Sequence, residues 1–208
     1  MIRNYIKTAF RNISKHRILS GVNVLGLSIG LSCTILIGIY IQHETSYDEF
    51  HKKSERIYRV ERIFHTMDFH SPITNHLIVP ALAERIPEIR DFSRVWNISA
   101  LMKDDRDNFH EQNFYLVDND FLSMFSFPLI EGESSHALSE PQSVVITKSM
   151  ADKYFGSTDV IGKTIETQLQ GETLHLKVTG LMKEFPDNSH LQTEMLVSYK
   201  TIIGLFPQ

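Results

Sequence analysis

The 208-residue chain is predicted to be an α+β protein: a basic amphipathic helix, one membrane-spanning helix, and an extracytoplasmic mixed domain with largely antiparallel sheets. Three observations predict this. Ile18 to Ile41 run for 24 residues without a charge, and a helix of that length covers roughly 36 Å, enough for a hydrocarbon core of about 30 Å. The residues before the run carry basic and apolar stripes at helical spacing. After it, short alternating segments mix with short helical ones across close turns, as in an α+β domain.

Arg3, Lys7, Arg11 and Lys15 step by four along one stripe, while Ile2, Ile6, Ala9, Phe10 and Ile13 share another. Residues 1–17 therefore read as a helix in the cytoplasmic interface, its cations near anionic headgroups, bending into the span near His16 and Arg17. The same charges also form a positive flank that sets topology, and the two roles are compatible. With Arg17, five cations and no acid precede the apolar run, whereas Glu44, Asp48 and Glu49 follow it. The positive-inside rule then places Met1 in the cytoplasm and Gln208 outside. Removing those five charges from the formal minus 4 leaves residue 43 onward at minus 9, which gives no surface for nucleic acid.

A signal peptide shares this grammar, but its apolar region covers about 7 to 15 residues. Here hydrophobicity continues through Ile35 to Ile41, and Gly30-Leu31-Ser32 before Cys33 matches a lipoprotein cleavage site poorly. Residues 18–42 read as an uncleaved anchor. Within it, Gly26-Leu27-Ser28-Ile29-Gly30 fits two motifs. As G-x-S-x-G it needs a strand-to-helix turn, a histidine and an oxyanion hole, none of which a membrane helix supplies. As G-x-x-x-G it makes Gly26, Ser28 and Gly30 candidates for close helix packing, with Gly21, Ser32 and Cys33 adding small residues. Gly is also simply common in membrane helices.

Residues 43–208 have ordinary single-domain size. Ile57 to Phe64 alternates as a first strand, and Pro80 suits the first turn of a helix edged by Ile78, Leu82 and Ile86 and stopped by Pro87. Phe92, Trp96, Ile98, Ala100 and Met102 share one face of a second extended segment, closed by a turn at Asp104 to Asn108 and paired with Asn113 to Val117. Asp118 and Asn119 are expected to cap a short helix holding Phe121, Met124 and Phe125. A loop follows at Pro128, Gly132 and Pro141. Ser143 to Ile146 reads as a strand, Thr147 as the cap of a helix ending at Gly156, and Thr164 to Leu169 as the partner of Leu174 to Gly180 around Gln170-Gly171. The lone cysteine, Cys33, lies in the span, so no intramolecular disulfide forms. Trp96, Phe121 and Phe155 are expected core residues.

Enzymatic chemistry returns near misses. Gly156 to Thr164 places five residues between glycines where a P-loop needs four, and a strand rather than a helix follows. His65, His70 and His76 are loosely spaced, without an H-E-x-x-H pair or cysteines. Asp118-Asn119-Asp120 lacks the glycine and glutamate of a calcium loop. No catalytic, metal or cofactor residue is assigned.

A series of short motifs runs along nearly the whole chain: Arg3 to Arg11 before the span, Glu44, Ser46-Tyr47-Asp48, Phe50-His51, Ile57-Tyr58-Arg59-Val60 and Pro87-Glu88-Ile89. It continues through Val117-Asp118 with Phe121, Gly132 before Ala137-Leu138, and Ser143 to Thr147. Tyr154-Phe155-Gly156, Ile161-Gly162-Lys163, Val178-Thr179-Gly180, and Pro186 with Asn188-Ser189-His190 complete it. In this order they resemble MacB/FtsX-type ABC transporter permeases and their MacB-like periplasmic core domain. The resemblance implies a permease component in the bacterial inner membrane whose partners are a cytoplasmic ABC ATPase subunit, further permease helices or a second copy, membrane lipid and a periplasmic protein. It implies export or transmembrane signalling without catalysis in this chain, and a smaller inserted subdomain at about 140–183. Family members continue beyond the position of Gln208, so the chain is expected to be a fragment not competent alone. Thr193 to Tyr199 is then a returning strand, with an exposed strand edge and apolar surface near the C terminus. The alternative is a bitopic sensor or adaptor that dimerises through Gly26 and Gly30.

Overall fold

The computed structural model describes residues 2–66, 68–103 and 109–205. Two compact units divide the chain, Met1–Tyr47 and Asp48–Gln208. The first unit is helical. Helix α1 (Ile2–Lys15) ends where His16 leaves helical geometry at φ −116° and ψ 55°, and α2 (Arg17–Thr45) starts at the next residue. Arg17 opens α2, and its Nε donates to the Ser14 carbonyl at 3.2 Å across the break. Helix α2 extends past the uncharged run because Gln42 to Thr45 contains no helix breaker, and Thr45 Oγ1 donates to Ile41 O at 2.9 Å. None of its residues is buried. A long helix that is apolar all round suits a lipid environment. Among the described residues it is the one helix long and apolar enough to cross a membrane.

The second unit opens with a 3-10 turn at Ser54–Arg56 and an isolated hairpin of β1 (Arg62–Phe64) and β2 (Phe69–Ser71), followed by α3 (Ile78–Ala83). The main sheet uses β3 (Val95–Lys103), β4 (Phe109–Val117), β5 (Leu129–Glu131), β6 (Ser143–Thr147), β7 (Thr164–Leu169), β8 (Glu172–Met182) and β9 (Met195–Ser198). Helices α4 (Phe121–Met124) and α5 (Lys148–Phe155) interrupt the strands, and α6 (Lys200–Leu205) follows them.

The strand order is β5-β8-β6-β9-β4-β3-β7, with β7 also paired to β8. Lys177 N–H donates to Gln142 O and Val178 N–H to Lys163 O, each at 2.8 Å. Successive N–H groups on a strand point to opposite edges, so β6 and β7 flank β8 on different sides. The ladder therefore closes through six strands, with β5 attached outside the ring. Among the described residues only β4–β9 and β6–β8 are parallel, and the other pairings are antiparallel.

The alternation of β6 assigns its residues to two cores. Val144 and Ile146 join Met102, Phe114, Leu176, Val178, Val197 and the Met150 side chain of α5. Val145 joins Leu196, Phe121, Phe127 and Met182 on the other face. Helix α5 follows its sequence signals: Thr147 Oγ1 accepts from Met150 N–H at 3.2 Å, and Gly156 ends the helix in the left-handed conformation at φ 60°. A bulge at Thr179 shifts the β6–β8 register. Gly132, at φ +101°, lies so close to the bulge that a Cβ there would sit 2.7 Å from Thr179 O.

Several expectations are corrected. Ile57 to Phe64 is not a full strand, since only Arg62–Phe64 pairs and Ile57 to Glu61 lie outside any ladder among the described residues. Ile57 leaves the 3-10 turn with an extended backbone, but among the described residues no neighbouring strand meets the segment. Asp118 and Asn119 do not cap α4 through their side chains: the N-cap is Asp120, without a side-chain bond. The Pro128 to Pro141 loop contains β5. Trp96 is 46 % exposed, because β7 reaches β3 only at Leu101 and Met102 and leaves the first half of the strand paired with β4 alone. Phe121 is fully buried and Phe155 packs against the core. Strand β9 is buried between β6 and β4 and presents no edge. Near the C terminus Ile203 is 45 % exposed, and a longer run of exposed apolar residues lies at Tyr58, Val60, Ile63, Phe69, Ile73 and Leu77. The expected turn at Asp104 to Asn108 lies outside the described residues.

Candidate functional site

Arg3, Lys7, Arg11 and Lys15 all lie on α1 and are exposed, as is Arg17 on α2. At four-residue steps each cation is displaced about 40° from the one before, so the four share one flank of the helix. In α2 a Cβ added at Gly21, Gly26 or Gly30 would meet nothing within 4 Å. Ser28 lies between the last two in sequence but, two residues from each, on the opposite face of the helix. Thr34 Oγ1 donates to Gly30 O at 2.9 Å, so that hydroxyl is satisfied within its own helix, as an apolar solvent requires.

The second unit begins at Asp48, and around it two motifs from opposite ends of the domain meet. Asp48 has φ 58°, a left-handed conformation that Asp tolerates better than most residues. Its N–H donates to Asn188 O at 3.0 Å. Its Oδ1 accepts from Ser189 Oγ at 3.1 Å and from His190 N–H at 3.2 Å, while Oδ2 lies 2.8 Å from His190 Nδ1. Burial pushes the Asp48 carboxyl up, yet the bonds from His190 and Ser189 outweigh burial and hold it below the usual carboxylate value.

His51 continues the cluster. Only 5 % exposed, it accepts from Ser126 N–H through Nδ1 at 3.1 Å and packs at a tilt on Phe50 and edge-to-face on Phe125 and Phe127, at centroid distances of 4.1 to 5.3 Å. Burial lowers its pKa from the ordinary histidine value and outweighs the opposing charge of Asp48. Lys52 N–H donates to Ser126 Oγ and Lys53 Nζ to Ser123 O, each at 2.9 Å. Residues 48–53 are thereby fastened to the loop preceding β9, to α4 and to the loop that follows α4.

A second polar cluster joins three strand ends. Asp118 accepts from Arg94 N–H at 2.7 Å, from Nε at 2.8 Å and from Nη2, and the Arg94 guanidinium lies 3.8 Å over the Tyr199 ring. Burial lowers the Arg94 pKa, but the Asp118 carboxylate reverses this and raises it above the usual value. Tyr199 N–H closes the cluster onto Val117 O at 2.8 Å. Nothing in the sequence singles out Arg94. The Asp48 contacts were equally hidden as a pairing, because about 140 residues separate Asp48 from Ser189.

The glycines of the near P-loop are occupied structurally. Gly162 N–H donates to Val178 O at 2.8 Å and Lys163 N–H to Val160 O at 3.0 Å. Backbone donors bound in this way cannot cradle phosphate. Among the described residues no group of three or more His, Cys, Asp or Glu is placed to hold a metal ion. A shallow hollow of about 240 Å³, lined by Ser99, Leu101, Gln168 and Gln170 among others, is smaller than usual ligand pockets.

A comparison with curated proteins gave no match. Among solved structures the chain is similar to a domain described as that of a permease protein from Porphyromonas gingivalis, at 26 % identity and a TM-score of 0.46, covering 58 % of this chain and 51 % of that one. It is similar to the extracellular domain of the noncanonic ABC-type transporter YknZ from Gram-positive bacteria, at 19 % identity and TM-score 0.43, over 56 % of this chain and 58 % of that one. The periplasmic region of MacB from Actinobacillus actinomycetemcomitans matches at 13 % identity and TM-score 0.44, over 78 % of this chain and 67 % of that one. The chain thus spans between half and three fifths of the first two. The family of the MacB-like periplasmic core domain matches residues 20–206, from within the apolar helix to the end of the outer unit. The chain belongs to this family, the MacB-like periplasmic core domains of ABC-transporter permeases.

Proposed function

We propose that the chain is a permease component of an ABC transporter of the MacB/FtsX type. A separate cytoplasmic ATPase hydrolyses ATP, the span carries the resulting movement, and the outer domain uses it for export or for transmembrane signalling. The observation that carries this reading is the family match, which runs through residues 20–206 and takes in most of the apolar helix as well as the domain. The charge pattern supports the orientation: five cations before the span and three acids shortly after it favour a cytoplasmic N terminus and a periplasmic domain. Arg3, Lys7, Arg11, Lys15 and Arg17 then meet the headgroups of the cytoplasmic leaflet. Gly26 and Gly30, one turn apart on one face of α2, form the contact for another helix, from a further permease segment or a second copy, while Ser28 faces the other way.

Lysine cross-linking in native membranes tests this. Peptides of an ABC ATPase are expected to be linked to Lys7 or Lys15 at the cytoplasmic end. Cross-links from those lysines to periplasmic proteins, or none to an ATPase, would sink the reading. The open surface at Gly26 and Gly30 also favours a second reading, a bitopic sensor or adaptor. Replacing both glycines with leucine is expected to abolish self-association in membranes on that reading. Unchanged association removes its support.

A further inference from the structure

We propose that the Asp48 cluster is the joint through which movement of the span enters the outer domain, with Asp48 as its positioning residue; this rests on the permease reading above. Only Ser46 and Tyr47 separate the last residue of α2 from Asp48. After Asp48 the first strand of the main sheet is β3, which starts at Val95. Hairpin β1–β2 and α3 lie between, outside that sheet, and Ile57 to Glu61 belong to no ladder. By backbone alone, a displacement of the span would be absorbed in more than forty residues of chain.

The cluster bypasses that slack. Asp48 is held by its own N–H to Asn188 O and by Ser189 Oγ, His190 N–H and His190 Nδ1 on its carboxylate. Hydrogen bonds to an ionised acceptor are roughly twice as strong as neutral ones. The loop at 188–190 leads within five residues to β9, a fully buried strand paired on one side with β6 and on the other with β4. His51, Lys52 and Lys53 add fixings to Ser123 and Ser126 beside α4. A pull on Asp48 therefore reaches β9, and through it β4 and β6, by a few short bonds. The left-handed backbone at Asp48 is consistent with a residue held by its contacts, since such geometry persists where surroundings impose it.

The test uses the full chain in lipid nanodiscs, with Cys33→Ser and a nitroxide on Glu49→Cys or, as a reference, on Asp152→Cys. Both positions are exposed. Asp48→Ala and Ser189→Ala are expected to free the label at 49, shortening its rotational correlation time several-fold, while the label at 152 keeps its order. Asp48→Asn tolerates the left-handed backbone and retains an Oδ1 acceptor, so it is expected to restore much of the order. The joint is refuted if the label at 49 is unaffected by Asp48→Ala, or if both labels loosen together, which would make Asp48 a general stabiliser. No ATPase enters this measurement, so its failure leaves the cross-linking test of the permease reading standing, and the reverse also holds.

Discussion

Replacing Asp118 with alanine strands the Arg94 guanidinium beside Tyr199. The side chains of the pair are only 17 % and 16 % exposed, and Asp118 satisfies three Arg94 donors. Removing one member of a fully buried pair costs about 3 to 5 kcal/mol. Since some water reaches both groups, the low end applies, about 3 kcal/mol. For a domain of this size that corresponds to a loss of about 6 to 12 °C in Tm. Combining Arg94→Met with Asp118→Leu removes the uncompensated charge and leaves mainly the Arg94 N–H without its acceptor, at a cost of about 1 kcal/mol. The double variant is therefore expected to recover about two thirds of the loss. Urea unfolding of the full chain in detergent, followed by fluorescence, reads this directly, because the single tryptophan, Trp96, lies in β3. A cost below about 1 kcal/mol for Asp118→Ala, or a double variant no more stable than the single one, would refute the reasoning.

Gly132→Ala is expected to destabilise the domain by more than about 2 kcal/mol, since its Cβ would press into Thr179 O and the Gly180 backbone. Gly171→Ala, at φ +90° with nothing within 4 Å, costs about 1 kcal/mol; equal losses in the same urea assay would contradict the steric account. Stability should fall with pH in two windows. His51 stays neutral when folded while the unfolded chain takes up a proton below pH 6.5, so its contribution is lost as pH drops from 6.5 toward the lowered folded value. Asp48 adds stability above 3.8 that disappears as pH falls through its own lowered value. His51→Phe, which leaves Asp48 and His190 in place, is expected to flatten the upper window only. A slope unchanged between pH 7 and 5.5 would assign it to other groups.

Features set by neighbours in sequence were legible before the structure. Thr147 and Gly156 bracket α5 because a hydroxyl cap and a left-handed glycine act within one turn, and the break at His16 follows from local charge and apolarity. Contacts set by distant neighbours were not legible. Asp118 looked like a helix cap, yet Arg94, from the approach to β3, captures its carboxylate. Ile57 to Glu61 alternates like a strand but meets no partner strand among the described residues, since alternation specifies faces and leaves edges unspecified. Asp48, His51, Ser189 and His190 stood out as parts of motifs, but their convergence depends on how the loop before β9 returns to the start of the domain.

The position of β9 has a consequence for biogenesis. Strands β3 and β4 are completed by residue 117, and β6 to β8 by residue 182, but β4 and β6 are joined only through Met195–Ser198. Until the last strand is made, the ring is a single open sheet, β4-β3-β7-β8-β6, with the unpaired edges of β4 and β6 facing each other. Domain closure is therefore a late, non-local event, and the interval before it is when a chaperone or a neighbouring nascent chain has access to those edges.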